Sequence, residues 1–421
     1  MSKRPTSEGT CRLAELGVVT ALGLTPAENW RRLLAGDTTG LSLRDDLIPG
    51  EERFFGAVAD PLPAIPDSLS LYAGRNSQLA LAAYEPLHEG VMSAISEFGA
   101  HRVGVVVASS TACVAEAEVA FRNRQDRLLA NPQVNLDTPP SSKAEPGSDF
   151  QLIQLEYGGG AELIQELSGS EGPCYALSTA CSAGAKSLAV ARRLLDLGVC
   201  DAVIAGAADS LCKLTANGFH SLQALSKGVT NPMSMNRDGL ILGEAAALFL
   251  VTRQAGGIQL LGTGESSDAH HISAPSPDGS GAYRAMRASL KESGLGIDEI
   301  EYLNLHGTGT LQNDAMESAA VSRLFGEGIP CSSTKPLVGH TLGAAGAVEA
   351  AFCWLILANR QGDELLLPPH VYDGKFDPAL STLSLVGVGE RKAVSGRAAI
   401  MTNSFGFGGS NCTLVLGQGG A

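Results

Sequence analysis

Four short segments of the chain carry side chains that could act together in covalent catalysis. In the first, Cys181 stands between an apolar run ending at Leu177 and a helical pattern that begins at Ala183. A thiol at a helix N-terminus faces unpaired N–H groups and the positive end of the helix dipole, and both lower its pKa. The position therefore predicts a nucleophile, with a small core residue as the alternative, since most free cysteines are core residues.

The second segment, residues 304–310, ends an apolar run in His306 and continues as a turn of glycines and threonines. An imidazole beside such adaptable backbone can reach a ligand and exchange a proton near neutral pH. The hydroxyls of Thr308 and Thr310 could hold a polar arm of a substrate. The alternative is a histidine that only satisfies the backbone of its own turn.

The third segment, residues 332–340, leads into a helix of small residues and ends in His340. An imidazole at a helix N-terminus is disfavoured in its charged form, so we expect a neutral His340 that donates a hydrogen bond to a developing oxyanion. Lys335 would pair with Glu349 or with a substrate carboxylate. A solvated surface lysine is the other interpretation of Lys335.

The fourth segment, residues 403–411, is a glycine-rich turn before the last apolar run. It has neither the Walker lysine nor the glycine spacing of a dinucleotide site, so we do not expect a nucleotide. Its backbone amides could instead form an oxyanion hole. His270 and His271 are adjacent and have no ligand at metal-binding spacing, so no metal site is predicted.

The elements that must position these residues alternate between two kinds. Strand-like runs cover residues 103–108, 202–205, 247–251, 258–261, 302–305 and 413–416, and helical patterns cover 183–197, 281–293 and 343–358. This alternation predicts a layered α/β fold. The small-residue helices after residues 181 and 340 echo each other, which predicts two similarly built halves, 1–252 and 253–421. Residues 131–149 show no hydrophobic periodicity, which predicts a surface loop.

Composition excludes several functional classes. The 421 residues are enough for two or three structural units, and 30 basic against 44 acidic residues give a net charge of −14, which disfavours nucleic acid and anionic membranes. The longest apolar stretch, 344–358, is too short to span a membrane and contains Glu349, so no membrane insertion is predicted. Nine cysteines without a C-x-x-C pair indicate a reducing, cytoplasmic location.

Cys181, His306, Lys335, His340 and the Phe-Gly-Phe-Gly-Gly turn occur in an order that resembles the elongating β-ketoacyl-acyl-carrier-protein synthases of the thiolase superfamily. The likeness is clear over residues 171–416 and weaker from residue 12 onward. Within that family, smaller features are similar to the branch that serves aryl polyenes and other specialised fatty acids. The resemblance implies the thiolase fold, with two duplicated α/β halves in a five-layer α-β-α-β-α sandwich.

The resemblance also implies a reaction, the decarboxylative Claisen condensation of an acyl group on Cys181 with malonyl-acyl carrier protein. The enzyme would need no cofactor of its own, since its substrates are carried on the 4'-phosphopantetheine of acyl carrier protein. The implied roles are enolate stabilisation by His306 and His340, support of His340 by Lys335 and Glu349, further support by Asp314 and Glu317, arm binding by Thr308, Thr310 and Ser273, and an oxyanion hole and gate at Cys181 and Phe405. The implied partners are acyl carrier protein and either a second copy of the chain or a chain-length-factor-like homologue.

The sequence departs from the family pattern in places that concern docking and chain length. The segment 109–113 lacks the usual glycine-rich form, and Gln223 stands where elongating synthases often place an arginine that meets the carrier. We expect docking to rely on Lys213 or on the cluster Arg122 to Arg127. Three other functions remain open: a non-catalytic chain-length partner subunit, a cysteine hydrolase, and a degradative thiolase that uses Cys412.

Overall fold

The computed structural model describes residues 11–130 and 150–419, without the side chains of residues 127, 128 and 130. The predicted surface loop 131–149 lies outside the described residues. The strands are β1 (Arg12–Val19), β2 (Leu41–Ile48), β3 (Glu51–Gly56), β4 (Val103–Ala108), β5 (Cys174–Tyr175), β6 (Ala202–Asp209), β7 (Leu242–Gly243), β8 (Ala245–Thr252), β9 (Ile258–Ser267), β10 (Tyr302–Asn304), β11 (Pro330–Ser332), β12 (Glu364–Leu366), β13 (Ser384–Leu385), β14 (Arg391–Ala393), β15 (Ala399–Gly406) and β16 (Ser410–Gln418).

The helices alternate with these strands along most of the chain, as the sequence predicts. They are α1 (Pro26–Leu34), α2 (Arg75–Tyr84), α3 (His88–Phe98), α4 (Val114–Ala130), α5 (Gly159–Ser168), α6 (Ala183–Asp196), α7 (Lys213–Ser221), α8 (Ser280–Ser293), α9 (Leu311–Phe325), α10 (Lys335–Val338) and α11 (Ala345–Ala358). Strands β4, β6 and β8 are buried along their whole length, which explains their nearly continuous apolar sequences. No helix in the described ranges is long and apolar enough to cross a bilayer.

The main sheet repeats one topology twice. Its eleven strands lie in the order β13-β11-β10-β15-β16-β9-β1-β8-β6-β4-β5. If β13, which pairs with the outer edge of β11, is left out, the strands numbered within each half run first-fifth-fourth-second-third outward from β1 and again outward from β9. The directions also match, because the two innermost pairings are antiparallel and the next two are parallel in both halves. Only Arg12 and Gln259 pair β1 with β9, so a unit of five strands and a unit of six meet at this point, and the predicted duplicated α/β fold is confirmed.

The helices complete five layers. Helices α6 and α11 contact strands of both units and each other, α2 and α5 cover the outer face of the first unit, and α8 covers that of the second and packs on α9. The two central helices cross closely because they are built from small residues. A Cβ added to Gly346 would lie 2.7 Å from the backbone nitrogen of Ala185, and one added to Gly184 would lie 2.7 Å from that of Ala347. Larger side chains would force the helices apart.

The fold collects the chemically promising residues at one end of the central layer. Cys181 immediately precedes Ser182, the N-cap of α6, and His340 precedes the turn that leads into α11. His306 follows β10. The predicted turn 403–411 is confined to residues 407–409, because its first four residues end β15 and its last two begin β16. Four segments that are far apart in the sequence therefore converge on the N-termini of the two central helices.

Candidate active site

A cleft of about 250 Å³ opens where these segments meet. Its wall includes the predicted nucleophile Cys181 and both predicted histidines, His306 and His340, together with Phe405. The three residues expected to hold a substrate arm also line it, and these are Ser273, Thr308 and Thr310. The cleft therefore brings together residues of the four sequence motifs, and Ser273 from a fifth segment.

Cys181 lies on a tight turn and contacts His340 directly. Its Sγ is 3.0 Å from Nε2 of His340, and only 5% of the residue is exposed. The preceding residue, Ala180, has a φ of 52°, a left-handed conformation that is strained for a residue with a side chain. The strain is consistent with a turn shaped to aim the thiol into the cleft.

The electrostatic prediction for Cys181 was wrong. Burial raises the pKa of the thiol to about 11, although the Phe407 amide and the Lys335 charge act in the opposite direction. Desolvation of a thiolate at the bottom of a narrow cleft outweighs the favourable field at the start of α6. The resting nucleophile is therefore a neutral thiol that must lose its proton as it reacts.

The two histidines are both neutral near pH 7. Burial, reinforced by the charge of Lys335, lowers the pKa of His306 and of His340 well below the ordinary value of 6.5. Their rings meet edge to face with centroids 5.4 Å apart. The neutral state expected of His340 thus has burial, more than the helix terminus, as its main cause.

Lys335 contacts the ring of His306, whereas the sequence predicts that it supports His340. Its Nζ lies 3.3 Å from Nδ1 of His306 and also donates hydrogen bonds to the His306 carbonyl and to the carboxylate of Glu349, the partner that the sequence suggested. An ammonium group can only donate, so Nδ1 of His306 accepts and the ring proton resides on Nε2. Lys335 therefore fixes the tautomer of His306 and reaches His340 only through its charge.

The carboxylates of Glu317 and Asp314 hold the backbone around His306. Glu317 accepts hydrogen bonds from the amides of His306 and Gly307 at 2.8 and 2.7 Å, and burial raises its pKa to about 7. Asp314 accepts from the amides of Met233 and Gly309 at 2.8 and 3.2 Å. Both residues are buried, and their role as supports stays a prediction.

The sequence predicts Phe405 for the oxyanion hole, whereas the structure brings the backbone amide of Phe407 to the sulfur of Cys181. The amide of Cys181 itself also acts on this sulfur. Phe405 lies within β15, with its ring 5.9 Å from that of His306, whereas Phe407 lies in the turn beyond the strand. The ring of Phe407 packs on Phe219 of α7, with centroids 5.4 Å apart, at the wall of the cleft.

The predicted arm-binding residues form a polar wall. The hydroxyls of Thr308 and Thr310 are 2.9 Å apart, and the hydroxyl of Ser273 is 3.4 Å from Nδ1 of His271. Sequence reasoning missed Gln312 and Asn313, which also line the cleft. The sequence could have indicated these two residues, because both follow the predicted arm-binding residue Thr310 in the first turn of α9.

Sequence reasoning also missed His370. It is buried, its Nδ1 accepts from the Ser333 amide at 3.1 Å, and its Nε2 lies 2.9 Å from the Pro232 carbonyl. Ser333 in turn donates to the Gly307 carbonyl at 2.6 Å, so His370 steadies the segment that carries Lys335. A lone histidine in an irregular region gives no sequence signal for such a role.

The residues considered for carrier docking lie outside the cleft wall. Gln223 and Arg122 are exposed and Lys213 is partly buried, while the side chain of Arg127 lies outside the described part of the chain. Their role stays a prediction. Cys412 is buried in β16, and burial raises its pKa to about 12, so its surroundings are those of a core residue.

The five layers, and a cleft that holds a thiol and two neutral imidazoles, define a thiolase-fold enzyme. The chain belongs to the β-ketoacyl synthase family, because the model of the N-terminal domain of these enzymes matches residues 16–256 and that of the C-terminal domain matches residues 258–366. It is accordingly an acyltransferase of the ketosynthase class.

Individual relatives support the same assignment over nearly the whole chain. The 3-oxoacyl-[acyl-carrier-protein] synthase 2 of Vibrio cholerae is 30% identical over 95% of this chain and 97% of its own length. The mitochondrial 3-oxoacyl-[acyl-carrier-protein] synthase of Arabidopsis thaliana is 30% identical over 95% and 91%. A solved ketosynthase in complex with its chain length factor, from Xenorhabdus doucetiae, is 37% identical over 99% and 100%, with a TM-score of 0.87.

Proposed function

We propose that the chain condenses an acyl group held on Cys181 with malonyl-acyl carrier protein, releasing CO₂ and forming 3-oxoacyl-acyl carrier protein. The observation that carries this proposal is the contact of 3.0 Å between the Cys181 thiol and Nε2 of His340, in a cleft that also presents neutral His306. The Cys181 thiol can hold the acyl chain while the imidazoles of His306 and His340 face the incoming malonyl thioester. A non-catalytic chain-length subunit would have no use for this arrangement.

In the first half-reaction, Cys181 exchanges its proton for an acyl group. As Sγ attacks the thioester carbonyl, His340 Nε2 takes the thiol proton and then gives it to the departing pantetheine sulfur. The oxyanion of the tetrahedral intermediate accepts hydrogen bonds from the amides of Cys181 and Phe407. This proton transfer is needed because burial keeps the free thiol protonated.

In the second half-reaction, the malonyl thioester loses CO₂. Its carbonyl oxygen gains negative charge as the carbon–carbon bond to the carboxylate breaks, and Nε2–H of His306 donates to that oxygen, with His340 beside it. The resulting enolate carbon attacks the acyl carbonyl on Cys181. The new carbon–carbon bond forms, the carbon–sulfur bond breaks, and the cysteine leaves as a thiolate that takes up one proton from solvent.

The polar wall of the cleft suits the arm that carries both substrates. A pantetheine arm contains two amide groups, which can donate to and accept from the hydroxyls of Thr308, Thr310 and Ser273. No cofactor of the enzyme itself enters this scheme. All nine cysteines are free, which supports a reducing compartment such as the cytoplasm.

We further propose a chain-length-factor-like homologue as the partner subunit, like the one that accompanies the ketosynthase from Xenorhabdus doucetiae. The support is an apolar patch of Phe121, Phe150, Leu152 and Tyr157 in the first half of the chain, where Phe121 is 51% and Leu152 67% exposed. Within the described residues, β5 pairs only with β4, so its outer edge is open to another strand. Exposed apolar surface and an open strand edge are each typical of an interface.

Intact-protein mass spectrometry after incubation with a panel of acyl-acyl carrier proteins tests the condensation proposal. The wild-type chain should gain the mass of one acyl group and the Cys181→Ala variant none. Adding malonyl carrier protein should then discharge the adduct and produce 3-oxoacyl carrier protein. An adduct that water removes equally fast would favour a cysteine hydrolase, and an adduct on the alanine variant would remove Cys181 as the nucleophile.

A further inference from the structure

We propose that Cys181, His306 and His340 form a latent site for a soft divalent cation such as Zn²⁺. The Lys335 ammonium group opposes the binding of the metal at this site. One ligand atom from each of the three residues lies within 4.8 Å of the other two, and all three residues are buried. In the described part of the chain, this is the one cluster of three histidine, cysteine or carboxylate side chains with that spacing. The inference concerns metal binding and goes beyond condensation.

The ligand set and its spacing suit a tetrahedral metal ion. Zinc binds thiolate at about 2.3 Å and imidazole at about 2.0 Å, so ligand atoms of one site lie roughly 3.5 Å apart. The sulfur and Nε2 of His340 are already 3.0 Å apart, and small side-chain rotations would open this distance. The cleft supplies room for water as the fourth ligand. Imidazole and thiolate groups are ligands that zinc prefers, whereas magnesium and calcium prefer oxygen ligands.

Lys335 opposes capture in two ways. Its ammonium charge lies 3.3 Å from Nδ1 of His306, so it repels a cation bound on the other side of the same ring. It also donates a hydrogen bond to Nδ1 of His306, which keeps the ring proton on Nε2. Nε2 faces the other two ligands, so it is the nitrogen that would have to bind the metal. Coordination in the wild-type chain therefore requires the loss of the Cys181 proton to solvent and the rearrangement of a second proton at the Lys335–His306 contact.

The paired substitution Lys335→Met with Glu349→Gln tests whether Lys335 opposes metal binding. Replacing both residues avoids leaving the buried carboxylate of Glu349 unpaired. We expect this variant to bind one Co²⁺ per chain with a thiolate-to-cobalt charge-transfer band in the near ultraviolet. Its dissociation constant at pH 7 should be about tenfold or more below that of the wild-type chain, because the ammonium group no longer donates to Nδ1 of His306, and the ring proton can move there and free Nε2 for the metal. Equilibrium dialysis with Co²⁺ and then Zn²⁺, followed by elemental analysis, gives the constants.

Controls assign the band to the proposed ligands. Adding Cys181→Ala to the paired variant should remove the band, whereas adding Cys331→Ala, which changes a buried cysteine in β11, should leave it unchanged. Lys335→Gln alone provides a second test if the paired variant does not fold. Equal affinities of the wild-type and lysine-free chains, no band in a folded lysine-free chain, or a band that survives Cys181→Ala would each overturn the proposal.

Discussion

The neutral thiol of Cys181 gives the free chain a distinctive response to pH. Because burial raises the pKa of Cys181 to about 11, a far smaller fraction of the chains carries a thiolate at pH 7 than an ordinary cysteine would give. We expect alkylation of Cys181 by iodoacetamide to accelerate with pH well beyond 9. Rates from peptide mass spectrometry at a series of pH values check this expectation, with Cys181→Ala as the blank. A rate that levels off near pH 7 would contradict the burial argument.

His306 should matter for only one of the two half-reactions. Its Nε2–H is placed to stabilise the enolate, while the transfer of the acyl group to Cys181 depends on His340 and the backbone amides. We expect His306→Ala to keep measurable acylation and to slow malonyl decarboxylation about 100- to 1,000-fold. Release of labelled CO₂ and acyl-enzyme mass, measured on the same preparation, separate the two steps. Normal decarboxylation in this variant would remove the assigned role.

At the residue scale, sequence patterns located the reactive groups but not their contacts. Each of Cys181, His306 and His340 stands at the end of a recognisable element, and element ends converge in a layered α/β fold. Which ring Lys335 meets, and whether Phe405 or Phe407 turns its amide toward the sulfur, depend on distances between segments more than twenty residues apart. The raised thiol pKa was missed for the same reason, because burial is a property of the assembled cleft.

At the scale of elements, the crossing of α6 and α11 positions the nucleophile and His340. A methyl group at Gly346 would collide with the backbone nitrogen of Ala185 at 2.7 Å, so Gly346→Ala must push the helices apart. We expect this variant to lose about 2 kcal/mol in the free energy of unfolding. Chemical denaturation followed by circular dichroism measures the loss.

Gly218→Ala in α7 is the matched control for this helix crossing. A Cβ at Gly218 has open space around it, so the substitution should be neutral or slightly stabilising through its helix propensity. Similar losses in both variants would show that the close approach of α6 and α11 is not what makes Gly346 necessary.

The elements themselves were largely predictable from hydrophobic periodicity. The strand expected over residues 103–108 coincides with β4, and the helix expected over 183–197 differs from α6 by one residue. The helix expected to begin at Gly343 begins at Ala345, because a tighter turn occupies 342–344. Strands as short as β5, β7 and β13 were not predicted, since two residues carry no periodicity. The longer strands β1, β2, β3 and β15 were not predicted either, and the end of β15 was taken as part of a turn.

At the scale of the whole molecule, the apolar patch makes assembly the property to measure. We expect the Phe121→Asp, Leu152→Asp variant to form fewer dimers than the wild-type chain, alone or mixed with a chain-length-factor homologue, because charges would be buried in the interface. Native mass spectrometry counts the species. Val388→Asp, at an 80% exposed position in the second half, is the control and should assemble normally. Unchanged assembly of the patch variant would move the interface elsewhere.

The repeated sheet also bears on how the chain folds as the ribosome makes it. The first five-stranded unit is complete once β8 has emerged at Thr252, so it can form while the second half is still being synthesised. Its inner face and α6 then remain uncovered until residues 345–358 arrive as α11. A pause in translation between these points would prolong the exposure of a small-residue helix and an apolar sheet face, which makes this interval the one in which the nascent chain most needs a chaperone.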